Sequence, residues 1–509
     1  MLSKIASYAL VGLDGVPVEV ETDINKGMVS YELVGLPDAA VKESKERVYS
    51  AIRNSVLRFP VNKITVNLAP ADIKKEGSQY DLPIAISLLV ASEQLKAETG
   101  GIVMLGELAL DGSLRAVTGI LPVLISAKNR GFKKFIVPFG NANEASYIEG
   151  IEVYALKSLR EAFDFLSGAH FEPVPVRSFE AAKRKASYNC DLSLVRGQAV
   201  AKRALEIAVA GGHNILLSGP PGTGKTMLAR CIPTIMPDMT FDEALEVTKI
   251  LSVSGELGED GIVSLRPFRT PHHTATTVSL CGGGNSKIKA GEISKAHRGV
   301  LFMDELPEYT RSALEALRQP LEDGKITVTR AGGAVTFPAD FILCASMNPC
   351  PCGNYGSKDR QCTCTSAQIR KYRSKISGPL LDRIDLQVEV DGVKYEELAG
   401  EGESEPSAEV KKRVELARSI QRERFIDEEG VNVNADMGER QIKAYCRLTP
   451  DCEAILRAAF ERLNLSARAR SRIIKVARTI ADLDCSENIK PKHILEATSY
   501  RNFDSTAER

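Results

Sequence analysis

A glycine-rich stretch near the middle of the chain, SGPPGTGKTMLAR at residues 218–230, is the most informative part of the sequence. It fits the pattern G-x-x-x-x-G-K-[S/T] and follows an apolar run, Asn214-Ile-Leu-Leu217, which predicts a buried strand. Glycines at a strand-to-helix turn allow backbone N–H groups to converge on an anion at the positive end of a helix. The stretch therefore predicts a loop that binds the phosphates of ATP.

Every residue of this loop is a candidate nucleotide ligand, namely Gly219, Pro220, Pro221, Gly222, Thr223, Gly224, Lys225 and Thr226. The Lys225 ammonium has the reach for the β and γ phosphates, and the Thr226 hydroxyl suits Mg²⁺. The alternative interpretation is a glycine-rich turn that precedes a helix and binds nothing.

Two later apolar runs end in polar residues suited to the same chemistry. Val300–Met303 is followed by Asp304 and Glu305, and a carboxylate at the end of such a strand lies near the phosphate loop. We predict that Asp304 helps to bind Mg²⁺ and that Glu305 orients the attacking water. Phe341–Met347 is followed by Asn348, whose amide is predicted to hold that water against the γ-phosphate.

Length and composition limit the possible classes of protein. The 509 residues suffice for two to four domains, with 43% hydrophobic and 26% charged residues. Sixty-six basic residues balance sixty-six acidic ones, so any nucleic acid must be held by local patches. The longest apolar run, Leu82–Ser92, is too short to span a bilayer, and no secretory segment precedes Asp14. We expect a cytoplasmic protein with no membrane partner.

The patterning divides the chain into four regions. Residues 1–170 predict an α+β domain, 171–190 a linker, 191–395 an α/β domain, and 405–505 a helical domain after the acidic stretch 400–407. The elements predicted in the first region are a hairpin of residues 4–13 and 16–21 around an Asp14-Gly15 turn, strands at 29–34, 63–68, 103–110 and 135–137, and helices at 37–55, 82–95, 119–129 and 158–166.

Four of the eleven cysteines are clustered in an insertion at 350–364. They are Cys350, Cys352, Cys362 and Cys364. Four thiolates suit tetrahedral Zn²⁺ and leave no open coordination position, so a metal there would stiffen the loop and take no part in catalysis. The alternative is a group of free cysteines, because C-x-C spacing is tighter than the common C-x₂-C.

Two further features have both a functional and a plain interpretation. His272-His273 looks like a ligand pair, but neighbouring residues on a regular element face apart and no third ligand is close in sequence, so we favour a polar loop. A second possibility is that this segment and a pore loop at Gly282–Lys289 line a central pore. Residues 325–337 predict a hairpin with Arg330 near its tip, either projecting from the sheet or lying plainly on the surface.

These motifs together resemble those of the AAA+ ATPases related to the magnesium-chelatase motor subunit. The resemblance rests on the phosphate loop, Asp304-Glu305, Asn348, Gly378-Pro-Leu-Leu-Asp-Arg383, and Ser466-Ala-Arg468 ahead of Ala477-Arg478. It narrows to the YifB/ComM family through Glu32–Pro37, Arg266-Pro-Phe-Arg-Thr-Pro-His-His-Thr274, Gly282–Gly284 and Gly291-Glu-Ile293, and it covers nearly the whole chain.

The resemblance implies a P-loop core with a helical lid and a ring, a hexamer, with ATP between subunits. Arg383 is then similar to the finger that reaches a neighbour's γ-phosphate, and Arg468 to the sensor-2 arginine of the lid, with Arg470 and Arg472 as competitors. A guanidinium supplied in trans would make hydrolysis depend on assembly.

The first region of this family resembles the proteolytic domain of Lon, with a ribosomal S5 domain 2-like fold. A peptidase is therefore an alternative, with Ser78 as its nearest hydroxyl, although the alignment through Asp81-Leu82 favours Gln79 at the position of the nucleophile. The segment Thr118–Leu124 lacks the lysine that would activate a hydroxyl. We predict a non-proteolytic domain that serves as a structural or nucleic-acid-contacting collar.

The resemblance implies a DNA helicase that promotes branch migration in recombination and natural transformation, acting on single-stranded or branched DNA. Residues 358–383 hold seven basic and two acidic residues and 461–478 hold six and one, which suits phosphate contacts. The alternative is a chelatase-like motor that remodels a protein partner, and we argue against it because the chelatase motor is expected to lack the first domain. A binding-only module is disfavoured by Glu305 and Asn348.

Overall fold

Two separate β-sheets and a set of C-terminal helices make up the computed structural model. It describes residues 2–185, 187–284, 288–330, 333–356, 360–392, 404–463 and 466–501. The pore-loop residues 285–287, the hairpin tip at 331–332, Lys358 of the first basic patch, the stretch 393–403 and residues 502–505 belong to the predictions above but lie outside the described residues.

The first sheet has seven strands in the order β3-β4-β2-β1-β5-β8-β9. The elements of this region are β1 Leu2–Val11, β2 Asp14–Asn25, β3 Ser30–Val34, α1 Ala39–Lys42, α2 Ser44–Asn54, β4 Lys63–Ala69, α3 Asp81–Ala91, β5 Ile102–Met104, β6 Glu107–Leu108, β7 Leu114–Arg115, α4 Ile120–Asn129, β8 Lys134–Pro138, α5 Ala142–Ala145, β9 Glu152–Leu156, α6 Leu159–Leu166 and α7 Phe179–Lys185. Helix α3 is buried along almost its whole length, and it contacts β1 and β2.

Several predicted boundaries in this region are wrong for local reasons. The hairpin turns at Gly12-Leu13, two residues before the predicted turn, because Gly12 adopts a left-handed φ of 63° and Val11 pairs with Asp14. The helix predicted at 37–55 is divided at Glu43. The helix predicted at 82–95 ends at Ala91, with Glu93 at a φ of 60°.

The predicted strand at 103–110 is two short strands, β5 and β6, separated at Gly106, where the backbone N–H bonds Gln79 O. The predicted linker 171–190 contains the helix α7. Its Phe179 is buried and lies with its ring 5.6 Å from that of Phe241. The segment is therefore anchored by packing along part of its length.

The second sheet is parallel, with five strands in the order β11-β14-β17-β10-β18. The elements of this region are α8 Ala199–Gly211, β10 Ile215–Ser218, α9 Lys225–Ile235, α10 Phe241–Ser254, β11 Phe268–Arg269, α11 Thr277–Cys281, β12 Gly282–Gly283, β13 Lys289–Ala290, α12 Glu292–Lys295, β14 Val300–Met303, α13 Arg311–Ala316, α14 Pro320–Asp323, β15 Lys325–Arg330, β16 Gly333–Pro338, β17 Ile342–Met347, α15 Ser366–Arg373, α16 Gly378–Leu381 and β18 Leu386–Glu389. The strands predicted before the phosphate loop, before Asp304 and before Asn348 are confirmed as β10, β14 and β17, and the hairpin is confirmed as β15–β16.

Asn214 fastens three strands together at the N-terminal edge of this sheet. Its backbone oxygen accepts the N–H groups of Asp385 and Leu386, its side-chain oxygen accepts that of Leu343, and its amide donates to Arg383 O. The opposite edge, where the strands end, carries the phosphate loop.

The C-terminal region is helical, as predicted. Its helices are α17 Ser407–Arg424, α18 Glu439–Tyr445, α19 Pro450–Leu463, α20 Ala467–Leu483 and α21 Pro491–Ser499. Helices α17 and α20 contact α8, and α17 also contacts α9, so that their apolar residues share one core with β10 and β18. None of the helices in the described ranges combines the length and apolar character needed to cross a lipid bilayer.

The first region is docked on the second through polar and apolar contacts. The buried carboxylate of Glu144 accepts Ser252 Oγ at 2.7 Å, and Asn143 donates to Glu259 O at 2.7 Å. Burial raises the pKa of Glu144. At a second point, Gly12 of the first hairpin lies against Val335 of β16, where an added Cβ would be 2.8 Å from Cγ1.

A buried ion pair fastens helix α20 to the parallel sheet. Arg472 Nη1 lies 2.7 Å from Asp385 Oδ1, and Asp385 also lies 3.3 Å from His213 Nδ1. Burial would raise the pKa of Asp385, but Arg472 and His213 hold it well below the usual value. We expect Arg472→Met to destabilise the protein by about 3 kcal/mol, because the buried Asp385 carboxylate loses its guanidinium partner and keeps its contacts with His213 and the Asn214 N–H.

The measurement is the calorimetric melting temperature, which should fall by roughly 6–12 °C for a domain of this size. Lys412→Met is the control, because Lys412 pairs with Glu409 on the exposed face of α17. Exposed pairs contribute less than about 1 kcal/mol. Equal effects of the two substitutions would contradict the anchoring role of Arg472.

Candidate functional site

The phosphate loop connects β10 to α9 in a tight turn. Gly222 and Gly224 have left-handed φ values of 81° and 88°, which glycine adopts without a steric penalty. Gly219 lies so close to the end of β18 that an added Cβ would be 2.1 Å from Val390 O. Position 219 therefore requires glycine because the neighbouring strand leaves no room for a Cβ. Positions 222 and 224 favour glycine because their backbone is left-handed.

Lys225 is the first residue of α9, and its side chain turns back into the loop. Its ammonium donates to Gly219 O at 2.7 Å and Pro220 O at 2.8 Å, and lies 3.4 Å from Asn348 Oδ1. Burial lowers the pKa of Lys225. The predicted phosphate ligand and the predicted water-holding amide thus lie side by side.

The two carboxylates after β14 lie at the same edge of the sheet. Thr226 Oγ1 donates to Asp304 Oδ2 at 3.1 Å, which brings the two predicted Mg²⁺ ligands together. Ser346 on β17 donates its hydroxyl to the other Asp304 oxygen and accepts the backbone N–H of Glu305 at 3.2 Å. Ser346 is a contributor that the sequence reasoning missed, because a serine inside an apolar run gives no signal of its own.

Glu305 is exposed and makes a contact that the sequence reasoning also missed. Its Oε2 lies 3.6 Å from Nδ1 of His273. The imidazole of His272 lies beside that of His273, with ring centroids 4.1 Å apart, and its own Nδ1 bonds Thr274 Oγ1 at 2.9 Å. The two histidines lie in a loop after β11, so the favoured interpretation as a polar loop is confirmed, and outside a regular element the two rings can lie together.

Arg383 and Arg468 lie away from the phosphate loop of their own chain. Arg383 is buried before β18, at the N-terminal edge of the sheet, and it forms an ion pair with Glu322. Arg383 and, from nearby, Arg468 keep the pKa of Glu322 below its ordinary value. At about 3.3 Å per residue, the five steps from Asn214 to Gly219 separate the two edges by roughly 16 Å.

The competitors of Arg468 have other partners in the structure. Arg470 pairs with Glu453 at 3.2 Å, and Arg472 lines a cleft of about 290 Å³ together with Arg383 and Lys475. Arg478 is buried against Asp482. Arg472 and Arg478 therefore belong to internal ion pairs, and the basic patch predicted at 461–478 presents fewer free cations than its composition suggests.

The four clustered cysteines converge as a metal site would require. Their sulfur atoms all lie within 4.8 Å of one another, and this is the one such group of potential ligands within the described ranges. Cys350 Sγ lies 3.4 Å from Cys352 Sγ and 3.7 Å from Cys362 Sγ. Backbone N–H groups of Asn354 and Thr363 lower the pKa of the Cys352 thiol to about 5, whereas burial and the neighbouring sulfurs raise the pKa of the Cys362 and Cys364 thiols.

Ser78, the hydroxyl of the peptidase alternative, and the nearby Lys75 each bond a group other than one another. Ser78 donates its hydroxyl to the carboxylate of Glu107, and the buried ammonium of Lys75 donates to Pro70 O. Neither contact brings a lysine ammonium to the Ser78 hydroxyl, so the serine–lysine pair of Lon-type proteolysis is not formed by these two residues.

Comparison with known protein families gives three matches that together span most of the chain. Residues 191–398 match the family described as magnesium chelatase, subunit ChlI, and residues 404–501 match its C-terminal family. Residues 20–141 match a family described as subunit ChlI of Mg-chelatase. The magnesium-chelatase 67 kDa subunit of Chlorobaculum tepidum is 30% identical over 159 residues, 30% of this chain, so the argument that the chelatase motor lacks the first domain stays a prediction.

Full-length relatives give a narrower assignment. The chain is 44% identical to the protein YifB of Escherichia coli, over 99% of this chain and 97% of the relative. It is 42% identical to the competence protein ComM of Haemophilus influenzae, over 98% and 97%. YifB of Salmonella typhimurium is 43% identical, over 99% and 97%.

We expect His273→Ala to lower kcat for ATP hydrolysis about tenfold while leaving ATP affinity unchanged, because the Glu305 carboxylate loses a contact that positions it. Glu305→Gln should bind ATP and fail to hydrolyse it. In the Glu305→Gln background, His273→Ala should have no further effect. Steady-state hydrolysis and binding of a fluorescent ATP analogue measure the two quantities separately.

His272→Ala is the matched control, because this neighbouring imidazole bonds Thr274. Its kcat should stay within about twofold of the original. A loss of ATP affinity in His273→Ala, or equal losses of kcat in the two variants, would contradict a positioning role for His273.

Proposed function

This chain belongs to the YifB/ComM family of magnesium-chelatase-like ATPases, and from that premise we propose that it forms a ring that uses ATP hydrolysis to move along DNA. Within the ring, each nucleotide would lie between two subunits. We propose a hexamer and a helicase that promotes branch migration on single-stranded or branched DNA. The competence protein ComM among its relatives supports a role in the uptake and recombination of DNA.

The observation that carries the proposal is the position of Arg383. It lies at the opposite edge of the parallel sheet from the phosphate loop of its own chain, roughly 16 Å away by strand length. An arginine there is too far to reach its own γ-phosphate, and we propose that it acts on a nucleotide bound to a neighbouring subunit. Arg468 lies near the same carboxylate, Glu322, and would serve the same neighbour.

The chemistry at each interface follows from the residues at the two edges. Lys225 and the loop N–H groups would bind the phosphates, Thr226 and Asp304 would hold Mg²⁺, and the metal would offset the charge of the β and γ phosphates. Glu305 and Asn348 would orient water, and Arg383 would neutralise charge that develops in the transition state. Glu322 would have to release Arg383 before it acts.

The DNA contact is proposed to include the C-terminal end of α15. Arg370 and Lys371 are both exposed there, a few residues from the cysteine cluster. We further propose that the first domain is a non-proteolytic Lon-like domain that serves as a collar. Its docking on α10 and β16 supports a fixed position beside the ATPase.

The alternative is a motor that remodels a protein partner, as the match to magnesium-chelatase subunits suggests. The two candidates share the ATPase interface and differ in what the ring moves. The stimulating partner of hydrolysis therefore distinguishes them.

We expect two inactive variants, Lys225→Ala and Arg383→Ala, to recover activity when they are mixed. One supplies an intact arginine and the other an intact phosphate loop, so about a quarter of the interfaces in a randomly mixed ring would be complete. ATP hydrolysis of the mixture at several ratios is the measurement. Full activity of Arg383→Ala alone, or no recovery on mixing although both variants form rings, would contradict hydrolysis at a shared interface.

We expect forked DNA to bind and to stimulate ATP hydrolysis. When the salt concentration rises from about 50 to about 200 mM, the DNA affinity should fall about tenfold for every two phosphates that the protein contacts. Arg370→Ala/Lys371→Ala should weaken this binding, whereas Lys412→Ala/Arg440→Ala, which removes two exposed cations from the C-terminal helices, should not. Stimulation by a protein partner and not by DNA would favour the remodelling alternative.

A further inference from the structure

The loop that carries the four cysteines has little else to hold it in place. In the described parts of 350–364, Cys350 and Gly353 are buried, whereas Pro351, Tyr355 and Thr363 are exposed. A loop of this length without an apolar core needs a cross-link or a metal to keep one conformation. The four cysteines are not joined by disulfides, since three of their sulfurs lie 3.4 to 3.7 Å from one another and bonded sulfurs lie about 2.05 Å apart.

The sulfur positions match a tetrahedral metal site in size and in hydrogen bonding. Zinc–sulfur bonds of about 2.3 Å place the four sulfurs about 3.8 Å apart. Three of the observed separations are 3.4, 3.6 and 3.7 Å. Backbone N–H groups of Cys352, Tyr355 and Cys364 point at sulfur atoms from 3.3 to 3.4 Å, as donors that stabilise thiolates.

The cysteine loop touches the phosphate loop directly. Gly353 lies so close to Pro221 that an added Cβ would be 2.7 Å from Pro221 Cδ. Cys350 follows Asn348 after one residue, and Asn348 contacts Lys225 at 3.4 Å. The cysteine loop therefore meets the nucleotide site at two points, through Gly353 and through Asn348.

A third contact fixes the other end of the loop. Arg373 on α15 donates from Nε to Pro349 O at 3.3 Å, and its guanidinium lies 5.2 Å from the ring centre of Tyr355. The chain leaving Cys364 thus returns to the residue that precedes Cys350. From α15 the chain continues through α16 to Arg383, so the cysteine loop lies between the water-holding amide and the proposed arginine finger.

We propose that Cys350, Cys352, Cys362 and Cys364 bind one zinc ion whose presence holds Pro221 and Asn348 in the geometry that binds ATP, so that loss of the metal weakens nucleotide binding. The inference rests on the nucleotide site of the proposed function and is independent of DNA. Zinc here takes no part in hydrolysis, because four thiolates fill its coordination sphere.

The first test measures zinc and ATP affinity in the full-length protein without DNA. We expect about one zinc per chain by elemental analysis, and about tenfold weaker binding of a fluorescent ATP analogue after the zinc is removed with a chelator and Mg²⁺ is restored. Adding zinc back should restore the affinity. Cys352→Ser/Cys362→Ser should behave like the metal-free protein, and Cys485→Ser, which removes an exposed cysteine outside the cluster, should behave like the original.

Gly353→Ala distinguishes zinc binding from the effect of the cysteine loop on ATP affinity. It keeps all four sulfurs but presses a Cβ against Pro221 at a left-handed φ of 79°, so it should retain zinc and bind ATP more weakly. Protein that binds ATP but holds no zinc would overturn the metal site. Unchanged ATP affinity on zinc removal would overturn the coupling alone, and protein that binds no ATP even with zinc would overturn the proposed function.

Discussion

A parallel sheet has two chemically different edges, and the arrangement of this molecule depends on that difference. The strands of the second sheet all end at one edge, so the phosphate loop, Asp304 and Asn348 meet there. They all begin at the other edge, where Asn214 binds β17 and β18 and where Arg383 lies. The two halves of a proposed catalytic centre are therefore held apart within one chain by the length of the strands. A second copy would be needed to bring them together, which is the arrangement of the proposed ring.

The polar network at the strand ends explains why the site residues lie where they do. Thr226 and Ser346 hold the two oxygens of Asp304, and the backbone N–H of Glu305 bonds Ser346. Glu305 itself has a left-handed φ of 51°, which points its carboxylate out of the strand direction toward the loop that carries His273. The Asp304 carboxylate is thus fixed by neutral hydroxyl groups, whereas the Glu305 carboxylate remains exposed and able to contact a water molecule.

The sequence predicts those parts of the structure that depend on residues close together in the chain. Strands β10, β14 and β17 are apolar runs ending in polar residues, so their position and the polar edge follow from composition alone. Strand β11 has only two residues and gives no hydrophobic pattern, so the sequence does not predict where the following histidine loop lies. The Arg383–Glu322 and Arg472–Asp385 pairs join residues 61 and 87 positions apart, so they depend on tertiary packing. The predicted hairpin turn is wrong by two residues because Gly12-Leu13 and Asp14-Gly15 both carry turn residues, and only the strand register decides between them.

The contact between Gly12 and Val335 has a mechanical consequence. The first hairpin of the chain rests its turn on β16, and Glu144 holds Ser252 of α10, so the N-terminal domain is attached to the ATPase at two separated points. Two attachment points resist rotation in a way that a single hinge does not. Any tilt of the β15–β16 hairpin would therefore have to move the whole N-terminal domain or break the contact between Gly12 and Val335. A movement that begins at the nucleotide would therefore be transmitted as a rigid-body rotation of the N-terminal domain, and the displacement at its far side would grow with the size of that domain.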